Sequence, residues 1–467
     1  MNGSVVILGA SGGVGKVVVH KCVQVPHIFK RIVGASRDIS QYAKINKFLA
    51  KPIEFRRVDA SSKQQLVALI ESVRPDLLIN VGIPFWNLNA MKACLDLFDK
   101  TGHRTHYMDT ACWEPEYEAR FRHAEQWSYD EDFKKAELMG LIGCGFDPGE
   151  TNAMVAYAYK HYFRRIDKVQ IWDCNGGFHG KAFATNFSLA INLRELLGRV
   201  RYRLNGKWKF TPSLIDEGAI HFTFDFEEIG KRELYLMYHE ELESLAKNFP
   251  EIKEMSFWMT FSEQYLRCLR MFVELGLTSI EKMGWSDQLL SPLAFLQRIV
   301  QDESLIKKYE TILNEIGLMS KDPVLIPWDE ELPWDEQTQL SPLEVLQVML
   351  PDPSSLGQNY TGKTNIGVII EGIGFDGKPL RWRIFNICDH AECWREVRAQ
   401  AISYTTGVAA FSGAMMMVVG KWMRHGVFNV EQFDPDSFIQ TAADFGLPIR
   451  EDIGKKVPLM YEFDNVA

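Results

Sequence analysis

The run Tyr238-His239-Glu240-Glu241 sets an imidazole beside two carboxylates, a combination able to move protons near neutral pH. The same residues also read as the start of an amphipathic helix from Glu240 to Leu245, with His239 at its cap. Asp389-His390 is a second acid/base candidate, or else a surface turn. Asp109 closes an apolar run, where it either faces a bound ligand or caps a helix around Trp113. Asn175 offers an amide to a charged ligand group, although turn chemistry in Asn175-Gly176-Gly177 accounts for it equally. Cys388, His390 and Cys393 lack the matching second half of a zinc site, so no metal is expected. Nothing in the sequence activates Cys144, and it is given no nucleophilic role.

Such groups act only if a fold holds them, and the clearest element opens the chain. Val5 to Leu8 is a short apolar run, followed by Gly9-Ala10-Ser11-Gly12-Gly13-Val14-Gly15 and then by Val17, Val18, Val19, Cys22 and Val23 at helical spacing. Strand, glycine turn and helix in that order form a dinucleotide fingerprint: Gly9 for the turn, Gly12 for approach to a pyrophosphate, Gly15 for helix–strand packing. A P-loop is excluded, since it needs glycine at Ala10 and Ser or Thr at Val17. The second strand, Arg31 to Ala35, ends in Ser36-Arg37, where an NAD enzyme places an acid. A hydroxyl and a guanidinium there suit a 2′-phosphate, so NADPH is expected; Asp38, one position on, leaves NADH open.

The alternation continues through Ile53 to Val58 with Asp59-Ala60, Asp76 to Val81 with Asn80-Val81-Gly82, and Thr105 to Met108 with Asp109-Thr110. It ends at Leu138 to Gly143 with Gly145-Phe146-Asp147-Pro148. Strands separated by helical stretches predict a doubly wound parallel sheet with the ligand at the carboxyl ends of its strands. Gly9, Ser11 to Gly15, Ser36, Arg37, Asp59, Ala60, Asn80 to Gly82, Thr110 and Gly145 to Pro148 are therefore the candidate cofactor residues, and Asp109 would face the nicotinamide side.

From about Ile166 the rhythm breaks into strand candidates at Lys168 to Trp172, Ala219 to Phe226, Met255 to Phe261, Gly367 to Glu371 and Arg381 to Ile387, mixed with long helices. That pattern predicts an α+β domain. The stretch Glu274-Leu275-Gly276-Leu277 to Ser291-Pro292-Leu293 is echoed by Glu315-Ile316-Gly317-Leu318 to Ser341-Pro342-Leu343, as in a partial tandem duplication. The second copy carries the acidic aromatic loop Pro327 to Glu336, a lid, an oligomer contact or a solvated insertion.

The whole chain has 467 residues, 46% hydrophobic and 24% charged, with net charge −9. That balance fits a globular protein of two or three domains and argues against nucleic acid as the ligand. The eight cysteines include no C-x-x-C pair, and Met1-Asn2-Gly3 leads into no signal-peptide core. A reducing, cytoplasmic setting is expected. Gly407 to Gly420, the most membrane-like stretch, is read as a buried helix because it is short and interrupted by Ser412 and Gly413.

The strand-end motifs continue, in order, as Asp173-Cys174-Asn175-Gly176-Gly177, Phe183-Ala184-Thr185-Asn186-Phe187, Tyr238-His239-Glu240-Glu241, Leu350-Pro351-Asp352-Pro353, Asn386-Ile387-Cys388-Asp389-His390 and Gln400 to Gly407. This series resembles the saccharopine dehydrogenase-like family, and within it the carboxynorspermidine (carboxyspermidine) dehydrogenases. The resemblance implies an imine-reducing enzyme of polyamine biosynthesis, an NAD(P)H-dependent oxidoreductase acting on CH–NH groups. It would join L-aspartate β-semialdehyde to 1,3-diaminopropane or putrescine. Lysine condensation, homospermidine synthesis and a non-catalytic nucleotide-binding role are the alternatives. The resemblance further implies a homodimer with a Rossmann domain at 1–150 and an α+β substrate and dimerisation domain at 151–388. The latter would carry an insertion near 300–340 that relatives lack, and a segment at 389–467 would pack back on the Rossmann side. On this reading His239, Glu240, Asp109 and His390 are catalytic candidates, and Asn175, Gly176, Tyr238, Glu241, Tyr404 and Thr405 substrate candidates.

Overall fold

The computed structural model describes residues 1–115, 119–285, 289–326 and 339–463. The acidic aromatic loop from Pro327 to Glu336 lies outside the described residues. In the first half, apolar runs too short for helices become buried strands: Val5, Val6, Ile7, Leu77, Leu78 and Ile79 have no exposed surface. A seven-stranded parallel sheet runs, edge to edge, Glu54–Arg57, Arg31–Ser36, Ser4–Leu8, Leu77–Asn80, His106–Asp109, Met139–Leu141 and Gly426–Phe428. The order reverses between Ser4–Leu8 and Leu77–Asn80, and that reversal opens a crevice at their carboxyl ends. The helices Gly13–Gln24, Lys63–Val73 and Asn87–Thr101 alternate with the strands, as the sequence pattern predicts.

The seventh strand, Gly426–Phe428, comes from the end of the chain, so the C-terminal segment does return to the Rossmann side. Helix Ala401–Val418 precedes it and lies on helix Gly13–Gln24 so closely that a Cβ at Gly407 would come within 2.5 Å of the Val17 Cβ. Among the described helices this one alone is long and apolar enough to cross a membrane, and 83% of it is buried inside the protein. The chain then crosses back. Ile449–Ile453 pairs with Pro379–Asp389 and covers the open edge of the other sheet, a destination the sequence did not announce.

That second sheet is mixed and has nine strands. Its central strand, Phe163–Asn175, pairs parallel with Glu254–Thr260 and antiparallel with Lys363–Gly374. Gly230–Met237 and the hairpin Val200–Leu204/Lys207–Thr211 belong to it as well, although their mixed polarity hid them in the sequence. The described residues on either side of Trp113 form no helix of the kind expected. The N–H groups of Cys112 and Trp113 bond to the side chains of Glu240 and Gln126 instead, and these side-chain bonds replace a helical ladder.

The duplication is visible as reciprocal pairing. Met283–Gly284 of the first copy pairs with Gln339–Leu340 of the second, and Leu289–Leu290 of the first with Val324–Leu325 of the second. Leu293 N–H donates to Ser320 O, and its counterpart Leu343 N–H donates to Ser279 O. Ser291 and Ser341 cap equivalent helices, Pro292–Ile299 and Pro342–Met349. The second of these packs on helix Leu189–Leu197, which carries Glu195 into the site below.

Candidate active site

At the crevice, Gly9 adopts φ +78°, and a Cβ there would lie 2.7 Å from Gly82 N across the strand reversal. Gly12 N–H bonds back to Gly9 O and precedes helix Gly13–Gln24, whose first N–H groups are the natural cradle of a pyrophosphate. A Cβ at Gly12 would meet only Gly9 O, at 3.3 Å, so its outer side is open. Ser11 N–H donates to Ser36 Oγ and ties the loop to the end of the second strand. Both oxygens of Asp38 accept from Ser40, while Arg37 is exposed. Asn80 is spent on the turn: it accepts from Gly82 N–H and donates to Asn87. Val81 N–H bonds Leu8 O, and Asp59 and Ala60 take bonds from Ser61 and Asn89. The residues present fit a dinucleotide.

Past the last strands, the chain brings acids together from four elements around His239. His239 Nδ1 bonds Glu241, and its ring stacks on Phe257 at 4.5 Å. Asp147 comes from the turn after Met139–Leu141, Asp173 from the central strand of the second sheet, and Glu195 from helix Leu189–Leu197. Burial alone would lower the His239 pKa, but Glu241, Asp147 and Glu195 raise it well above the ordinary value. Burial pushes Glu195 up to about 8 and Asp173 to about 6. One oxygen each of Asp147, Asp173, Glu195 and Glu241 is buried without a hydrogen-bond partner in the protein. Buried carboxylate oxygens in that state call for an incoming donor. No group of His, Cys, Asp and Glu among the described residues has the closeness of a metal cage. Two open surface hollows, of about 790 and 490 Å³, are lined by none of these residues.

Several sequence candidates are placed differently from expectation. Glu240 accepts from Cys112 N–H and Sγ–H, a clamp between the second domain and the end of the fifth Rossmann strand. Asp109 accepts from Gly143 N–H, Tyr107 Oη and Gln126 Nε2, and burial raises it to about 7. It holds the strand ends together and has no oxygen to spare. His390 is fully buried: Nδ1 accepts from Ala401 N–H, Nε2 donates to Asn175 Oδ1, and burial lowers its pKa to about 3. Its ring stacks on Tyr360 at 3.7 Å, and Tyr360 Oη bridges Asn175 and Asn186. Tyr238 is committed to Phe121 O and Arg201, and Gly176 O accepts from Arg232.

Tyr404 turns away from the crevice to Lys21 and Glu396, and Thr405 bonds Ile402 O. Ser403 and Thr406 take the inner face instead. A Cβ at Gly13 would lie 2.5 Å from Ser403 Oγ, and one at Gly145 3.1 Å from Thr406 Cγ2 and 3.1 Å from Thr110 O. One residue is about 100° of helix, which separates the expected pair from the observed one. Gly145 N–H bonds Pro148 O, and Phe146 is buried core. Asp147 lies within electrostatic reach of Asp173, His239 and Glu241. Asp173, Glu195, Asn186, Tyr360, Gln400 and Ser403 received no role from the sequence. Asp173 and Asn186 sit in motifs quoted above, whereas Glu195 lies in an ordinary amphipathic helix that gives no signal.

Fold and site together define a two-domain, dinucleotide-binding oxidoreductase in which buried acids gather around His239 beside the parallel sheet. Residues 5–141 match the model of the saccharopine dehydrogenase NADP binding domain, and 145–447 that of the saccharopine dehydrogenase C-terminal domain. The chain belongs to the saccharopine dehydrogenase family and is an oxidoreductase acting on CH–NH groups. It is 40% identical to a carboxyaminopropylagmatine dehydrogenase of Synechocystis sp., over 97% of this chain and 98% of that one. It is 35% identical to a carboxynorspermidine synthase of Vibrio alginolyticus, over 94% of each. A solved saccharopine dehydrogenase of Saccharomyces cerevisiae shares the fold, with TM-score 0.65 at 12% identity over 96% of this chain and 99% of that one.

Proposed function

We propose that this enzyme condenses L-aspartate β-semialdehyde with an amine bearing a second cationic group, and reduces the imine with NADPH, in polyamine biosynthesis. The observation that carries the reading is the ring of buried carboxylates with unpartnered oxygens beside the Rossmann crevice. An amine with a second cation satisfies them in a way that a neutral or anionic substrate cannot. Agmatine is the first amine to test, because the relative named for an agmatine product is 40% identical, against 35% for a carboxynorspermidine synthase. The diamines 1,3-diaminopropane and putrescine are the second reading. NADPH is supported by the family's NADP-binding domain, by Arg37 at the strand end and by the engagement of Asp38 with Ser40. Eight free, buried cysteines support a cytoplasmic setting.

In this reading Gly9 to Gly15 would hold the pyrophosphate, and the bound dinucleotide would supply the hydride that reduces the C=N bond. Glu195 and Glu241 hold the far cation. His239, kept protonated by its carboxylate neighbours, gives its proton to the hydroxyl of the carbinolamine, which leaves as water. Glu240, clamped to Cys112, fixes the loop that carries His239 against the Rossmann strand ends. The test is NADPH oxidation with the semialdehyde and, in turn, agmatine, 1,3-diaminopropane, putrescine and lysine, with products identified by mass. A carboxylated product from agmatine or a diamine is expected. Turnover with lysine alone would transfer the chain to saccharopine-type chemistry, and silence with every amine would overturn the proposal.

A further inference from the structure

A reductive condensation has a requirement that the residues discussed so far do not meet. An aliphatic amine reaches the enzyme as an ammonium ion, since its pKa is close to that of lysine, about 10.4. It must lose a proton before its nitrogen can attack a carbonyl carbon. His239 already holds a proton in its bond to Glu241. Glu240 and Asp109 have their oxygens occupied, and His390 has both ring nitrogens committed.

Asp147 and Asp173 are free to act. Asp147 stands on the turn Gly143 to Gly149, which Gly145 presses against Thr110 at the dinucleotide end of the fifth Rossmann strand. Asp173 reaches the same point from the central strand of the second sheet, and the two carboxyls are in hydrogen-bonding contact. Asp147 Oδ2 and Asp173 Oδ1 are buried and without a partner. Two adjoining carboxyls in a buried site cannot both ionise, so they hold one proton between them and have capacity for another. The groups facing the pair are His239 and Glu241, at the start of helix Glu241–Asn248; Glu195, on helix Leu189–Leu197, faces His239.

Resting on the reaction proposed above, we infer that the Asp147–Asp173 pair is the base that takes the proton from the attacking ammonium group. The step balances. The ammonium N–H bond breaks and its proton goes to the pair. The freed lone pair forms the C–N bond as the carbonyl π electrons move to oxygen. A second nitrogen proton passes to that oxygen to give the carbinolamine. His239 protonates the hydroxyl, the C–O bond breaks, and water leaves an iminium ion. The pair, having gained one proton, returns it to the neighbouring His239, which lost one, and the iminium carbon is left open to the hydride that a bound dinucleotide would supply.

The test is the pH dependence of turnover for wild type, Asp173→Asn and Asp147→Asn, with dinucleotide binding by fluorescence as the check that each variant is folded. Both amides nearly preserve shape, and either alone suffices should the other fail to fold. At about pH 7 the variants should lose on the order of 10²- to 10³-fold in kcat, the usual contribution of a positioned base. The deficit should shrink between about pH 7 and pH 9.5, as solution supplies neutral amine in its place. Undiminished kcat in a folded variant, or a deficit equal at both pH values, would overturn the pair's role while leaving the reaction standing. Silence of the wild-type enzyme with every amine would overturn the reaction and this inference together.

Discussion

Glu195→Gln tests the acid cluster through two independent readouts. The substitution keeps the shape of the side chain and removes its ability to gain or lose a proton beside His239. Glu195 Oε2 is buried without a partner, and burial raises its carboxyl to about 8. A carboxyl raised in the folded state binds its proton more tightly there than in the unfolded chain. Its contribution to stability is therefore complete below the ordinary value of 4.5 and is lost as pH rises towards about 8. Each pH unit in that window removes about 1.4 kcal/mol, so roughly 3 kcal/mol is gone at pH 7. For a chain of this length that corresponds to roughly 3 °C in Tm. The substrate-free variant should thus melt roughly 3 °C less steeply between pH 5 and 7 than wild type, as read by calorimetry. With substrate the effect reverses, because a charge-assisted hydrogen bond to the far cation is lost, about 1.5–3 kcal/mol, or about 10- to 150-fold in the KM of the amine. Parallel melting curves together with an unchanged amine KM would refute the argument that these carboxylates await a cation.

Arg37→Ala should weaken NADPH by about 10- to 100-fold with little effect on NADH, the cost of one charge-assisted contact to the 2′-phosphate; titration of both dinucleotides checks this, and equal losses would remove the residue from cofactor choice. His390→Ala should cost about 2–4 kcal/mol in stability, since it removes a buried ring that packs on Tyr360 and bonds both Ala401 and Asn175. The pKa of His390 is near 3, so the midpoints of the pH–rate profile should not move in this variant; a displaced midpoint would restore His390 as an acid/base group.

The Rossmann half was legible because its determinants are local. Four-residue apolar runs, helical stretches between them and turn residues at the strand ends are contiguous signals, and the cofactor loop is one heptapeptide, Gly9 to Gly15. The duplication was legible for the same reason, as a repeated string; that its copies pair reciprocally was not, because strand pairing is a long-range choice. Strands of mixed polarity, such as Gly230–Met237, carry too weak a period to be seen before their partners are known.

By itself, then, the sequence determined the class of fold, the dinucleotide loop and the candidacy of His239 beside Glu240 and Glu241. The tertiary structure decided which chemistry-bearing groups are free to act. His239 and His390 look alike as residue types, yet one is bonded to Glu241 among acids that raise its pKa, and the other is sealed between Ala401 N–H and Asn175, where burial lowers it. Tyr404 and Thr406 lie two positions apart, and only the rotation of their helix against Gly145 decides which faces the crevice. Asp147, Asp173, Glu195 and Glu241 are scattered over nearly a hundred positions and leave no periodic trace. A buried carboxylate owes its charge state to neighbours brought in from other elements, and those neighbours exist only once the two domains have packed.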